Sequence, residues 1–291
     1  MKILITGRHG QVAQHLQREL AGLGELIVMG REQLDFSQPQ NVIEAVRATA
    51  PDLIVNAAAH TAVDQAESEP ALAFAINAAS PGMLAQIGAE LNVPLIHYST
   101  DYVFDGEKAS PYDEHDLTLP LGVYGSSKLA GEQAIRAVGG PHLILRTSWV
   151  YSTHGRNFLL TMQKLLQERE VVRVVADQIG APTWAGTIAR GTRQLIERWR
   201  DGKPGAWGTY HLTARGETSW FGFAQAIGRA LSEQGKRCAE LQPIAASEYP
   251  TPAARPLNSR LDCSLLAREW DVQQPDWHDA LLECLATQRQ A

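Results

Sequence analysis

The stretch "KILITGRHGQVAQHL", residues 2–16, runs three patterns together. An apolar run of strand length ends at Thr6, a turn carrying Gly7 and Gly10 follows, and from Gln11 apolar residues recur at helical spacing. A buried strand that passes through glycines straight into an amphipathic helix is the opening unit of a parallel sheet. Working outward, "ELIVM" (25–29), "DLIVN" (52–56), "PLIHYS" (94–99) and "HLILRT" (142–147) are further short apolar runs bounded by Gly, Pro or Asp. Helical patterns cover about 40–50, 70–92 and 124–138, and the first helix is expected to stop at Gly22 or Gly24. Strands alternating with helices in this way predict an α/β fold, a Rossmann-type doubly wound parallel sheet with helices on both faces.

After about residue 150 the alternation loosens. "VVRVV" (171–175) reads as a strand, 186–200 and 219–235 as helices, and "EYPTPAARPLNSRLD" (248–262) has no period. The expected division is a dinucleotide-binding unit over 1–150 and a smaller, mainly substrate-binding unit over 151–291, with some segments of the second returning to the sheet.

Composition narrows the classes. The 291 residues are 44% hydrophobic and 20% charged, an ordinary globular profile. A formal charge of −6 argues against a general nucleic-acid surface. No secretory signal is expected at the amino terminus, and no stretch is expected to approach the roughly 18 apolar residues of a membrane span. Cys238, Cys263 and Cys284 are odd in number and widely spaced, which fits neither a disulfide framework nor a metal knuckle and favours a reducing, cytoplasmic setting.

The glycine turn carries the first chemical hint. Gly7 and Gly10 permit a tight turn and a close backbone approach, Ala13 lets helix and sheet touch, and the N–H groups opening the helix can meet a pyrophosphate. The spacing G-x-x-G-x-x-A is weak alone, and gains from its place after the first strand. At the end of the second strand the chain reads Met29-Gly30-Arg31, with no acid at the tip to take a ribose 2′-hydroxyl. Arg31 suits a 2′-phosphate, which favours NADPH with NADH still possible; the plain alternative is a solvated loop charge.

Tyr124 and Lys128 in "VYGSSKLAGE" (123–132) lie four apart and share a helix face. A neighbouring ammonium favours the phenolate and lowers the tyrosine pKa, turning a phenol into a usable acid. Thr100, just past the fourth strand, adds a hydroxyl at the edge where such sheets bind ligands. Y-x-x-x-K also arises by chance, with the tyrosine merely leaning on the lysine stem.

With these neighbours the chain resembles the short-chain dehydrogenase/reductase superfamily, in its extended sugar-nucleotide branch, and within it the dTDP-4-dehydrorhamnose reductases. The resemblance rests on "GRHGQV" (7–12), "NAAAHTAVD" (56–64), "STDYVF" (99–104), "RTSWVY" (146–151) and "DQIGAPT" (177–183). It implies NADPH-dependent reduction of a sugar-nucleotide 4-keto group, with Tyr124 as proton donor, Lys128 as its partner on the cofactor and Thr100 orienting the reacting oxygen. It further implies Gly10, Gln11 and Val12 at the pyrophosphate, Asp35 and Phe36 flanking the adenine, and Ala59, His60 and Thr61 along the cofactor groove. Asp101, Val103 and Trp149 would meet the substrate, and Arg255 and Arg260 are candidates for its diphosphate. His60 and Trp149 have structural readings too, and either arginine could be a surface charge.

Some family members are dimers bridged by Mg2+ between acidic side chains. His15 and Gly186 stand where those acids are looked for, so no metal site is expected, and the chain is expected as a monomer or homodimer without nucleic-acid or membrane partners. The competing readings are an epimerase or dehydratase of the same superfamily, and a non-catalytic regulatory subunit resembling that of methionine adenosyltransferase.

Overall fold

A computed structural model describes residues 1–288. The first half follows the alternation directly: β1 (Lys2–Thr6), α1 (Gln11–Glu19), β2 (Glu25–Met29), α2 (Val42–Thr49) and β3 (Leu53–Asn56). There follow α3 (Val63–Ser68), α4 (Pro70–Phe74), a π-helical turn Ala75–Ala79, α5 (Ser80–Leu91), β4 (Leu95–Thr100), α6 (Val123–Val138) and β5 (His142–Thr147). Helix α1 ends at Glu19, before either glycine named as its stop, and a backbone bond from Leu20 N–H to the Leu16 carbonyl closes it. Gly24 serves a different purpose: a Cβ there would stand 1.9 Å from the Met1 carbonyl oxygen, so the chain could not enter β2 beside β1 with any larger residue.

The second half adds β6 (Val150–Tyr151), α7 (Phe158–Glu168), β7 (Val171–Val175), β8 (Ile179–Gly180), β9 (Thr183–Trp184) and α8 (Ala185–Arg200). It closes with β10 (Gly208–His211), β11 (Thr218–Ser219), α9 (Trp220–Ser232), β12 (Glu240–Ile244), α10 (Ser264–Trp270) and α11 (Trp277–Gln288).

Six parallel strands form the main sheet in the order β10-β5-β4-β3-β1-β2. Its two faces are read off alternate residues. Ile3, Ile5, Leu53, Val55, Ile96 and Tyr98 pack with Ala13 and Leu16 of α1 and with Ile188 and Ile196 of α8. Leu4, Ile54, Leu95 and Ile144 face the other way, onto Val42, Val46, Leu84 and Ile135 of α2, α5 and α6. Both faces are covered, which is why these strands read as unbroken apolar runs. A separate core of Leu159, Leu166, Val172, Phe223, Ile227, Leu281 and others is built from residues after 150. The sixth strand of the main sheet, β10, comes from this later half.

The run Pro70–Leu91 corrects one expectation, because its 22 helical residues are apolar enough by length and composition to cross a membrane. Here it is a core helix: Leu84, Ala85 and Ile87 are buried against the sheet. Its polar Asn77 and Ser80 are buried and hydrogen-bonded, Asn77 to the His60 backbone and Ser80 to the Phe36 carbonyl at 2.8 Å.

Candidate active site

The carboxyl ends of β1, β3 and β4 meet at the point where strand order reverses, the usual place for a ligand in an open parallel sheet. Gly7 turns the chain there with φ +78°, and a Cβ would lie 2.9 Å from the Ala57 carbonyl and from the Ala58 backbone. Gly10 then caps α1 and donates its N–H to the Gly7 carbonyl at 2.7 Å. No side chain caps α1 and no acid sits in its first turn. The first bond to a preceding carbonyl runs from Gln14 N–H to Gly10, so the N–H groups of Gln11, Val12 and Ala13 have no helical partner. Such a donor set fits a pyrophosphate. Gln11 is also held from the side, its Oε1 accepting from Asn157 Nδ2 at 2.8 Å.

The end of β2 differs from its sequence reading. Glu32 curls back so that a Cβ on Gly30 would stand 2.6 Å from its carboxylate oxygens, and an acid therefore does lie at the strand tip. It pairs with Arg8 at 3.3 Å and with His9 at 3.8 Å. Arg8, which carries no signal of its own in the sequence, also donates to the Val28 carbonyl. Arg31 is largely exposed and lies 3.5 Å from Asp35. Phe36 is only 4% exposed, and its ring packs into the core with Leu34, Val42 and Val46 instead of standing open in the groove.

Ala59, His60 and Thr61 lie in the loop after β3. Asn77 holds that loop, accepting from His60 N–H at 2.8 Å and donating to the His60 carbonyl at 3.1 Å. The same amide donates to Ser127 Oγ at 3.0 Å, tying the groove to α6 beside Lys128. Its position in a π-helical turn, a distortion frequent at functional sites, is a signal that sequence periodicity does not carry.

Helix α6 brings Tyr124 to the end of β4. It approaches closely because Gly125 has no side chain: a Cβ there would stand 2.1 Å from the Tyr102 carbonyl oxygen. Tyr124 is half-buried, edge-on to Tyr102 with ring centroids 5.4 Å apart. Burial pushes its phenol up to about 12, while a hydrogen bond with Thr100 pulls the other way. Thr100 is buried at the end of β4, accepts from Tyr102 N–H at 3.2 Å and donates to Asp101 Oδ1 at 3.1 Å. Asp101 is buried as well, and burial raises its carboxyl to about 6.

Lys128 is not directed at the phenol. Its Nζ donates to the Tyr98 carbonyl at 2.6 Å and lies 3.2 Å from His97 Nε2. Burial lowers the amine to about 8, against the pull of Glu132 one turn further on. None of these contacts of Lys128 is with Tyr124, and burial governs the phenol.

The substrate-side residues divide. Val103 is fully buried with Phe104, Tyr112 and Leu261, because the short 3-10 turn after β4 points it into the core. Trp149 adopts φ +49° and stacks on Trp220 at 3.6 Å between centroids, with Gly180 left bare to admit the indole. Trp220 has no sequence signal of its own. Arg255 and Arg260 line one cavity of about 560 Å³ with Lys108, Leu121, Ile179 and Asn258. Arg255 pairs with Asp64 at 2.8 Å, and Arg260 pairs with Glu217 at 3.0 Å. The aperiodic 248–262 segment thereby links α3 to the later half.

Among the described residues no group of three or more His, Cys, Asp or Glu side chains could hold a metal ion. His15 instead contacts Ser152 Oγ at 3.0 Å, which in turn contacts His154.

The family model described as the RmlD substrate binding domain matches residues 1–290. A dTDP-4-dehydrorhamnose reductase of Burkholderia thailandensis is 46% identical over 292 residues, covering 98% of each chain. The crystal structure of a dTDP-4-dehydrorhamnose reductase ortholog from Clostridium acetobutylicum superposes with a TM-score of 0.91 at 34% identity, over 99% of this chain and 100% of that one. A dTDP-4-dehydrorhamnose reductase from Bacillus anthracis, solved in complex with NADP, gives 0.89 at 34% identity over 98% and 99%. On this match, end to end in sequence and in fold, the chain belongs to the dTDP-4-dehydrorhamnose reductase family.

Proposed function

We propose that this protein reduces the C4 keto group of dTDP-4-dehydro-6-deoxy-L-mannose with NADPH, giving dTDP-L-rhamnose in the last step of its synthesis. The observation that carries the reading is the juxtaposition of Thr100 and Tyr124 at the carboxyl edge of β4, two hydroxyls close enough for Thr100 to act on the phenol, beside a pyrophosphate-ready glycine turn. The family's reductase names, and the NADP bound in the Bacillus anthracis relative, support it.

NADPH, when bound, supplies the hydride that adds to C4. The chain's own residues supply the rest. Gln11, Val12 and Ala13 hold the pyrophosphate with their free backbone N–H groups, Gly10 lets it approach closely, and Arg8 and Arg31 are the cations available to a 2′-phosphate. Tyr124 gives its proton to the C4 oxygen as negative charge develops there, and Thr100 orients that oxygen. Burial keeps the phenol protonated at neutral pH, so the proton to be given is in place, though it is held more tightly than in a free tyrosine. Trp149 packs on the sugar, and the cavity lined by Lys108, Arg255 and Arg260 takes the nucleotide diphosphate, because guanidinium forks grip phosphate oxygens. The three free cysteines fit a cytoplasmic setting.

The test is NADPH oxidation with enzymatically prepared dTDP-4-keto-6-deoxy sugar, offered before and after 3,5-epimerisation. Turnover with the epimerised sugar, one NADPH consumed per sugar reduced, is the expected result. NADPH binding without oxidation of either sugar would overturn it.

A further inference from the structure

A chain of buried polar contacts crosses the sheet behind Tyr124. Thr6 Oγ1 donates to Asn56 Oδ1 at 2.6 Å, Asn56 Nδ2 lies 2.8 Å from His97 Nδ1, and His97 Nε2 lies 3.2 Å from Lys128 Nζ. Every member is buried, Lys128 at 2% exposure and His97 at 0%.

The direction of these bonds is fixed from one end. The Ala58 backbone N–H, which can only donate, lies 3.2 Å from Asn56 Oδ1 and 3.3 Å from Thr6 Oγ1. Turning the Asn56 amide over would place its NH₂ against that N–H and leave the Thr6 hydroxyl proton without this acceptor. The amide oxygen therefore faces Thr6 and Ala58, and the NH₂ group donates to His97 Nδ1. A neutral imidazole that accepts at Nδ1 carries its proton on Nε2. Burial and the neighbouring lysine keep His97 from taking a second proton, holding its pKa well below the usual value. Its Nε2–H thus points at Lys128 Nζ, which already donates to the Tyr98 carbonyl. An ammonium has no lone pair to accept that N–H; a neutral amine has one.

We propose that Asn56 and His97 form a charge-setting pair for Lys128, presenting an N–H donor to its Nζ that weakens the hold of the lysine on its proton. The other charged groups around Lys128 do not supply this. Glu132, one turn along α6, favours the ammonium but spends its oxygens on Ser99, Arg146 and Arg136. Tyr124 lies one turn before it, with Asp101 beside the phenol. Resting on the reductase reading above, the pair has a use in turnover. One proton leaves Tyr124 for the substrate oxygen, and a lysine ammonium that holds its proton loosely can supply the replacement, becoming the neutral amine until solvent restores its proton. His97 is in this sense a positioning residue, acting through Lys128.

The test is made on the full chain, first without substrate. Long-range proton–nitrogen NMR on uniformly ¹⁵N-labelled protein reads the His97 tautomer, assigned with His97→Gln. The Lys128 ¹³Cε shift, assigned with Lys128→Met, reads its titration. We expect an Nε2–H tautomer and a Lys128 midpoint well below that of a free lysine. In His97→Gln the side-chain oxygen can turn to Nζ as an acceptor. That should raise the midpoint by about one pH unit, roughly tenfold in proton affinity, and carry the alkaline limb of kcat/KM upward with it. An Nδ1–H tautomer in the unmodified protein overturns the proposal even if the variant fails to fold, as does an unmoved midpoint in a folded variant. Absence of turnover on the 4-keto sugar, with the tautomer as expected, would count against the reductase reading alone.

Discussion

The Thr100 hydroxyl donates to the buried carboxylate of its own neighbour, Asp101, at 3.1 Å. The proton that Thr100 would offer a substrate oxygen is thus held by a group whose own charge burial disfavours. The carboxyl sits at about 6, above its ordinary range, so Asp101 becomes protonated within a range where exposed aspartates stay charged.

Asp101→Ala should lower kcat roughly tenfold to a hundredfold through misplacement of Thr100, leaving NADPH affinity unchanged. Asp101→Asn keeps an acceptor for Thr100 and should lose less. It should also remove an inflection near pH 6 from the pH dependence of kcat/KM. The folded-state pKa is raised, so this group's contribution to stability is fullest below the unfolded value and declines as pH rises through about 6. Comparing the pH–rate profiles of the two variants with the parent checks the assignment; identical profiles would refute it.

Glu32 lies across the end of β2 between Gly30 and Arg8, where a 2′-phosphate would bring like charge. Glu32→Gln should tighten NADPH relative to NADH by roughly twofold to fivefold, a modest effect because the groups are exposed and screened. Arg8→Ala should move the preference the other way. Ratios of kcat/KM for the two cofactors measure both.

Glu132 and Arg146 form a bidentate pair inside the sheet–helix interface, at 2.9 and 2.7 Å, with Ser99 on the same carboxylate. Burial pushes the Glu132 carboxyl up, but Arg146 outweighs it and holds it below the ordinary value. Breaking the pair leaves a buried guanidinium without its partner, and Glu132→Gln should cost about 3–5 kcal/mol in urea unfolding. A depressed folded pKa gives stability that is present above the unfolded value of roughly 4.3 and lost as pH falls through the folded one. The parent should therefore lose stability on acidification, and the variant should show less of that loss.

Much of the scaffold was legible in the sequence because parallel strands buried on both faces leave a plain mark. "KILIT", "ELIVM" and "HLILRT" are strands at the very residues expected. What was not legible depended on tertiary placement. Glu32 reads as a loop residue until the chain folds back over Gly30, and Val103 reads as a site residue until the 3-10 turn rotates it into the core. Asn77 and His97 have no local pattern, since their meaning comes from partners 17 to 50 positions away. The Tyr124–Lys128 spacing placed both residues on one helix correctly but did not say where Nζ would point.

The most direct test of the account is single-turnover reduction by Tyr124→Phe, alongside NADPH binding followed by fluorescence. Phenylalanine keeps the ring against Tyr102 and removes only the acidic proton. The account predicts a fall in rate of about 10²–10⁴, with NADPH affinity within a few-fold of the parent. A variant that bound NADPH normally and kept most of its rate would contradict the assignment of Tyr124 as the proton donor.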